Sequence, residues 1–185
     1  MTSFILIRHA ESPWSEDENR PLSTAGARAA QSLPQRLGGY SISAIYSSPY
    51  RRSLQTVMPL AEHLGLSISE AFDLRERTLG SFQHASFEEA VAATWSNFER
   101  AYPRGESSRS AQQRALAVAR GLARRHPSET VALATHGNLL ALLLNAFDPN
   151  VRFNFWKSLE FPDAFELRLL PSGGGVFWRI EGCAV

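Results

Sequence analysis

Three short apolar runs, at residues 4–7, 42–46 and 130–135, constrain this chain more than any other feature of its sequence. Each is bounded by polar or turn residues and is too short for a stable helix, so each is expected as a strand buried on both faces. Between them the spacing turns helical. Ser23 or Thr24 can cap a helix running to about Leu37, where Gly38-Gly39 stops it. Ser48 or Pro49 suits the start of a second helix reaching Leu64, with Pro59 as a possible kink inside it and Gly65 at its end. Residues 87–100 have helical spacing, and Pro103-Arg104-Gly105 breaks it. Ser107 or Ser108 caps a long helix that ends before Pro127, and Gly137 starts another that ends near Phe147-Asp148-Pro149. Residues 66–68 are expected as a short edge strand and residues 72–82 as irregular chain. The tail holds two runs, 164–170 and 176–180, joined by Pro171-Ser172-Gly173-Gly174-Gly175, which reads as a hairpin. Strands alternating with helices predict an α/β fold: three α/β/α layers, a mostly parallel central sheet, and an antiparallel edge from the C-terminal hairpin.

The 185 residues carry no repeat, low-complexity tract or linker, so one domain spanning 1–185 is expected. Nineteen basic residues against 18 acidic leave a net charge of +1, which provides no bulk attraction to nucleic acid or to a membrane surface. Affinity for an anion must therefore come from a local cluster. The single cysteine, Cys183, can form no intramolecular disulfide, which suits a reducing cytoplasm. The N-terminus lacks the basic region of a signal peptide, and the apolar stretch 139–147 is too short to span a bilayer. A cytoplasmic protein is expected, with no membrane or nucleic-acid partner; oligomeric state is not readable.

In open α/β sheets, ligands gather at the carboxyl ends of the strands. The first strand ends at Arg8-His9-Ala10, the second leads into Ser48-Pro49-Tyr50-Arg51-Arg52, and the strand at 130–135 leads into His136-Gly137-Asn138. Arginine forks match phosphate oxygens in pairs. A histidine with one ring nitrogen fixed by an acceptor is a nucleophile at the other. Gly137 begins a helix whose free N–H groups favour an anion. These parts describe a phosphoryl pocket assembled without a convincing set of metal ligands.

The blocks also resemble a known family. Leu6-Ile7-Arg8-His9-Ala10-Glu11-Ser12 is similar to the N-terminal signature of the histidine phosphatase superfamily, the phosphoglycerate mutase-like group. Ser47-Ser48-Pro49-Tyr50-Arg51-Arg52-Ser53-Leu54-Gln55-Thr56 resembles its second block, and that alignment selects Arg52 over Arg51. Leu74-Arg75-Glu76-Arg77-Thr78-Leu79-Gly80 is similar to the acid-bearing block, Gly105-Glu106-Ser107 to a further landmark, and Thr135-His136-Gly137 to the block of the second histidine. The blocks occur in family order. The resemblance implies a cofactor-free phosphatase acting on a small phosphorylated substrate. His9 attacks phosphorus, Arg8, Arg52 and His136 bind phosphoryl oxygens, and Glu76 serves as acid and then base. Gly137 and Ser15 are carried as further binding positions. Ala10 stands where the family usually has Gly, and Ser15 where many members have a phosphate-assisting Asn after Trp. A phosphomutase or a protein phosphohistidine phosphatase of the same superfamily, and a phosphate sensor without turnover, are the competing readings. Glu106 is either a helix-start charge or part of the substrate rim. His63, His84 and His126 read as surface or packing residues, with His84 the one placed to face the pocket. Trp95, Phe98 and Tyr102 read as packing.

Overall fold

The computed structural model describes residues 1–15, 17–83 and 85–181; His84 and Cys183 lie outside the described residues. Six strands form one sheet in the order β3-β2-β4-β1-β5-β6. They are β1 (Ser3–Arg8), β2 (Ile42–Ser47), β3 (Ile68–Glu70), β4 (Thr130–Thr135), β5 (Asp163–Leu169) and β6 (Gly175–Arg179). The first four run parallel to their neighbours, and β5 and β6 add the antiparallel edge. The mostly parallel sheet and the terminal hairpin are as the sequence predicts.

Period-two alternation sorts β1 between two cores. Phe4 and Leu6 face a layer built from α4 (Phe87–Ser96), α5 (Ser108–Arg125) and α6 (Gly137–Asn145), where Trp95, Ala115, Leu139 and Leu143 pack. Ile5 and Ile7 face the opposite layer, made by α1 (Thr24–Ala30), α2 (Leu33–Leu37) and α3 (Arg51–Leu64), against Leu33, Leu37, Val57 and Leu60. The four residues 4–7 are wholly buried, which is why the run carries no polar alternation. Among the described residues no helix is long and apolar enough to cross a membrane.

Several boundaries differ from expectation for local reasons. The helix expected to reach Leu37 is broken into α1 and α2. Pro34 has no N–H to give to the carbonyl of Ala30, and its ring excludes a continuous turn there, so the chain restarts with the proline in the first turn of α2. Ser23 caps α1 through a bond from the Gly26 N–H, and Ser107 caps α5. The α3 helix begins at Arg51 and runs through Pro59 to a left-handed Gly65. The Leu66 N–H then returns to the Ala61 carbonyl, which postpones β3 to Ile68. The helix α4 stops at Ser96, because Asn97 turns extended and its side chain accepts from the Glu99 N–H. The short α7 (Phe153–Lys157) has no side-chain cap to announce it in the sequence. Residues 72–74 form one 3-10 turn, after which the chain is irregular.

That irregular segment is pinned by close backbone approach. A Cβ on Gly105 would lie 2.2 Å from the Leu79 carbonyl oxygen, and one on Gly80, at φ +85°, would lie 2.5 Å from that of Pro103. Backbone cannot swing aside as a side-chain tip does. Gly105→Ala is therefore expected to lower stability by about 1–3 kcal/mol, read as a shifted urea midpoint, and to disturb the Glu76 loop that Leu79 belongs to. An unchanged midpoint would contradict this packing.

Candidate active site

Parallel pairing sets three strand ends side by side. The His9 N–H donates to the Thr135 carbonyl at 3.0 Å and the Ser48 N–H to that of Ala134 at 2.9 Å, so registry persists one residue beyond β1 and β2. The His9 and His136 rings consequently meet edge to face, with centroids 5.1 Å apart. His9 Nδ1 lies 2.7 Å from the Ala10 carbonyl. A carbonyl only accepts, so Nδ1 carries the proton and Nε2 keeps its lone pair. Arg52 Nε–H donates to that Nε2 at 3.3 Å, while Arg52 Nη1 donates to the Glu18 carbonyl at 2.6 Å. Thr56 ties the two segments together, accepting from the Ala10 N–H at 2.9 Å and donating to the Arg52 carbonyl at 2.7 Å.

Arg8 Nη1 donates to the Leu159 carbonyl at 2.7 Å, and its guanidinium lies 3.4 Å from the centroid of the Phe161 ring. A Cβ on Gly137 would come within 3.0 Å of Arg8 Nε, so the bare glycine lets this guanidinium lie against the start of α6. Glu76 closes the other side. Its carboxylate accepts from the N–H groups of Asn138 (3.0 Å), Leu139 (3.0 Å) and Arg77 (2.9 Å), covering the first turn of α6. Arg114 holds this loop from behind: it donates to the Asp73 and Arg75 carbonyls and pairs with Glu106 at 2.7 Å. Glu106 thus supports the Glu76 loop and is not at the rim of this cleft.

Arg8, His9, Arg52, Glu76 and Gly137 line one cleft of about 510 Å³, a size suited to a small-molecule ligand. Of the adjacent arginines, Arg52 is buried and Arg51 is exposed. His136 is wholly buried behind His9, with Nε2 2.8 Å from Ser48 Oγ. Of the expected binding residues, His136 and Ser15 are not in the cleft lining. The Ser15 hydroxyl turns to the Asp17 carbonyl, because the loop folds locally around Asp17. The cleft wall also holds residues not singled out in the sequence as site residues: Arg20, Trp14, Tyr50 and Phe161. Arg20 had a readable signal, a cation in the loop following the Arg8-His9 pair. Phe161 had none, since it arrives from the connection between α7 and β5. Tyr102 packs against Phe82, and His126 bonds Tyr46 and Glu129 away from the cleft. Among the described residues, no group of three or more His, Cys, Asp and Glu side chains is placed to hold a metal ion.

The electrostatics favour an incoming anion. Burial, followed by Arg52, Arg8 and Arg20, holds His9 down to a pKa of about 3, although the bond to the Ala10 carbonyl opposes the shift. Burial first, then His9 and the same arginines, lowers His136 well below the ordinary histidine value. Arg8 is lowered to about 10 by burial, against the raising effect of Glu76 and Asp163, and stays charged at neutral pH. Buried Nε of Arg8, buried Nε of Arg20 and buried Nδ1 of His136 have no hydrogen-bond partner in the protein. Unpaired buried donors are costly, and the two arginine Nε–H groups at a cationic cleft suit an oxyanion with several acceptor oxygens.

Since the folded pKa of His9 lies below the unfolded value of about 6.5, the unfolded chain takes up a proton that the folded chain refuses. His9 therefore subtracts stability as pH falls from about 6.5 toward 3. Long-range ¹⁵N–¹H spectra at pH 5 should show the His9 ring neutral with its proton on Nδ1; a cationic ring at that pH would contradict the geometry.

Comparison with known proteins places the chain in a family. The sequence matches the family profile of the histidine phosphatase superfamily (branch 1) over residues 4–180. It is 27% identical over 150 residues to PhoE of Bacillus subtilis, described as an uncharacterized phosphatase, covering 78% of this chain and 76% of that one. It is 28% identical over 150 residues to phosphoserine phosphatase 1 of Hydrogenobacter thermophilus, covering 74% and 71%. The structure superposes on YhfR of Bacillus stearothermophilus with a TM-score of 0.78 at 26% identity, covering 100% of this chain and 98% of that one. With His9, Arg8, Arg52 and Glu76 on one cleft and the match spanning nearly the whole chain, the protein belongs to the histidine phosphatase superfamily, branch 1.

Proposed function

We propose that this phosphatase hydrolyses phosphate monoesters of small molecules, with His9 as the nucleophile. The observation that carries the reading is the His9 ring: Nδ1–H is fixed on the Ala10 carbonyl, and the Nε2 lone pair is held at the cleft beside Arg52. Nε2 forms a bond to phosphorus as the ester P–O bond breaks, and the departing oxygen takes the electron pair and a proton from Glu76. Water then attacks the phosphohistidine and gives its proton to the Glu76 carboxylate. The P–N bond breaks, inorganic phosphate leaves, and the electron pair returns to Nε2. Arg8 and Arg52 hold the equatorial oxygens and neutralise their charge. The unpaired Nε of Arg20 adds a donor to the same cleft. The relatives named as phosphatases of phosphoserine support a small phosphorylated metabolite as substrate class.

The roles of Glu76 and Arg52 separate by leaving group. An alkoxide needs a proton as it departs; nitrophenolate does not. General acid catalysis contributes about 10²–10⁴-fold. Glu76→Gln is expected to slow cleavage of alkyl phosphates by a factor in that range while changing nitrophenyl phosphate cleavage far less. Arg52→Ala should slow both alike, because it acts on oxygens common to the two substrates. The ratios of kcat/KM across wild type and both variants check this; equal losses for both substrates in Glu76→Gln would remove Glu76 as the acid.

A further inference from the structure

Beyond the phosphoryl end, the same cleft is walled by aromatic side chains. Trp14 is 80% exposed, Phe87 55% and Phe161 44%, and with Trp156 they line the cleft. The Phe87 ring lies 6.3 Å from that of Trp156. A lone exposed aromatic is ordinary. Here they come from separate stretches of chain, the loop after β1, the first residue of α4, α7, and the connection into β5, and they converge on one opening.

Several polar side chains of the same wall bond within the protein. Ser12 Oγ donates to the Pro21 carbonyl at 2.7 Å, and Asn138 Oδ1 accepts from Trp95 Nε1 at 3.1 Å. Arg77 turns inward, its terminal nitrogens donating to Ser108 Oγ at 3.0 Å and Thr94 Oγ1 at 2.9 Å. Glu18 accepts from the Tyr50 hydroxyl at 3.0 Å. Arg20 faces the phosphoryl end, where its charge acts on His9, His136 and Arg52. The carboxylate of an amino-acid phosphate set against these rings loses water and gains no hydrogen bond from them, which is unfavourable. A planar apolar group instead buries its faces against rings.

We infer that the cleft selects phosphate monoesters of aromatic or bulky apolar alcohols over amino-acid phosphates. This rests on the monoesterase reading and names its leaving group. Its occupant is the alcohol portion of the ester, because the aromatic wall is continuous with the site of phosphoryl transfer. The test is kcat/KM of the full chain for 2-phenylethyl phosphate, ethyl phosphate and phosphoserine, all esters of primary alcohols. The phenylethyl ester is expected to exceed each of the others by about tenfold or more, the scale set by burying a few apolar carbons. The double variant Trp14→Ala, Phe87→Ala should bring the ratio of phenylethyl to ethyl toward one. Phosphoserine at or above the phenylethyl ester, or a wild-type ratio near one, overturns the inference. If none of the three is turned over, the monoesterase reading fails, and calorimetry with 2-phenylethylphosphonate and ethylphosphonate decides the wall: tighter binding of the phenyl compound supports it, and equal affinity overturns it.

Discussion

The in-register pairing of β1 with β4 places everything else. Ser3 to Arg8 pair residue for residue with Thr130 to Thr135, and the next backbone bond, from His9 to Thr135, fixes the first residue past the strand. A slip of one residue would turn His9 to the other face and send Phe4 and Leu6 into the wrong core. The two apolar layers prevent that slip, since each accepts one alternate set of side chains. Catalytic geometry here is a by-product of core packing: the same alternation that buries Ile5 and Ile7 presents His9 to the cleft.

The site concentrates basic groups at a buried point. Arg8, Arg52 and Arg20 all push the two histidines toward the neutral form, and a neutral imidazole is what a nucleophile requires. Burial is the largest cause of the His9 shift, and the arginines that add to it are also the donors suited to an oxyanion. Glu76 is held on the opposite side by the first turn of α6 and, through its neighbours' carbonyls, by Arg114. Glu76 and His9, the proposed acid and nucleophile, are therefore mounted on separate elements, and both line the cleft.

The strands and the place of His9 at a strand end could be read from sequence because each depends on local pattern: an apolar run, then a charged or imidazole residue at its end. Arg52 was separable from Arg51 through its block, and the structure buries Arg52. What escaped depends on distant chain. Phe161 reaches the cleft from the connection into β5 and stacks on Arg8 with no local signature. Ser15 follows Trp14 as a binding residue would, yet the turn around Asp17 carries its hydroxyl away. Pro34 divides the first helix, although the apolar spacing runs on past it. Glu106 was ambiguous until Arg114, eight residues on, closed the pair that supports the Glu76 loop.

The central claim is that phosphoryl transfer passes through His9 Nε2. Rapid quench of the enzyme with a phosphate monoester, under basic conditions that preserve phosphohistidine, followed by peptide mass spectrometry, tests it most directly. The account predicts a phosphoryl group on the peptide containing His9, lost on brief acid treatment and absent from His9→Ala. Phosphate trapped on a serine, or turnover undiminished in His9→Ala, would contradict it.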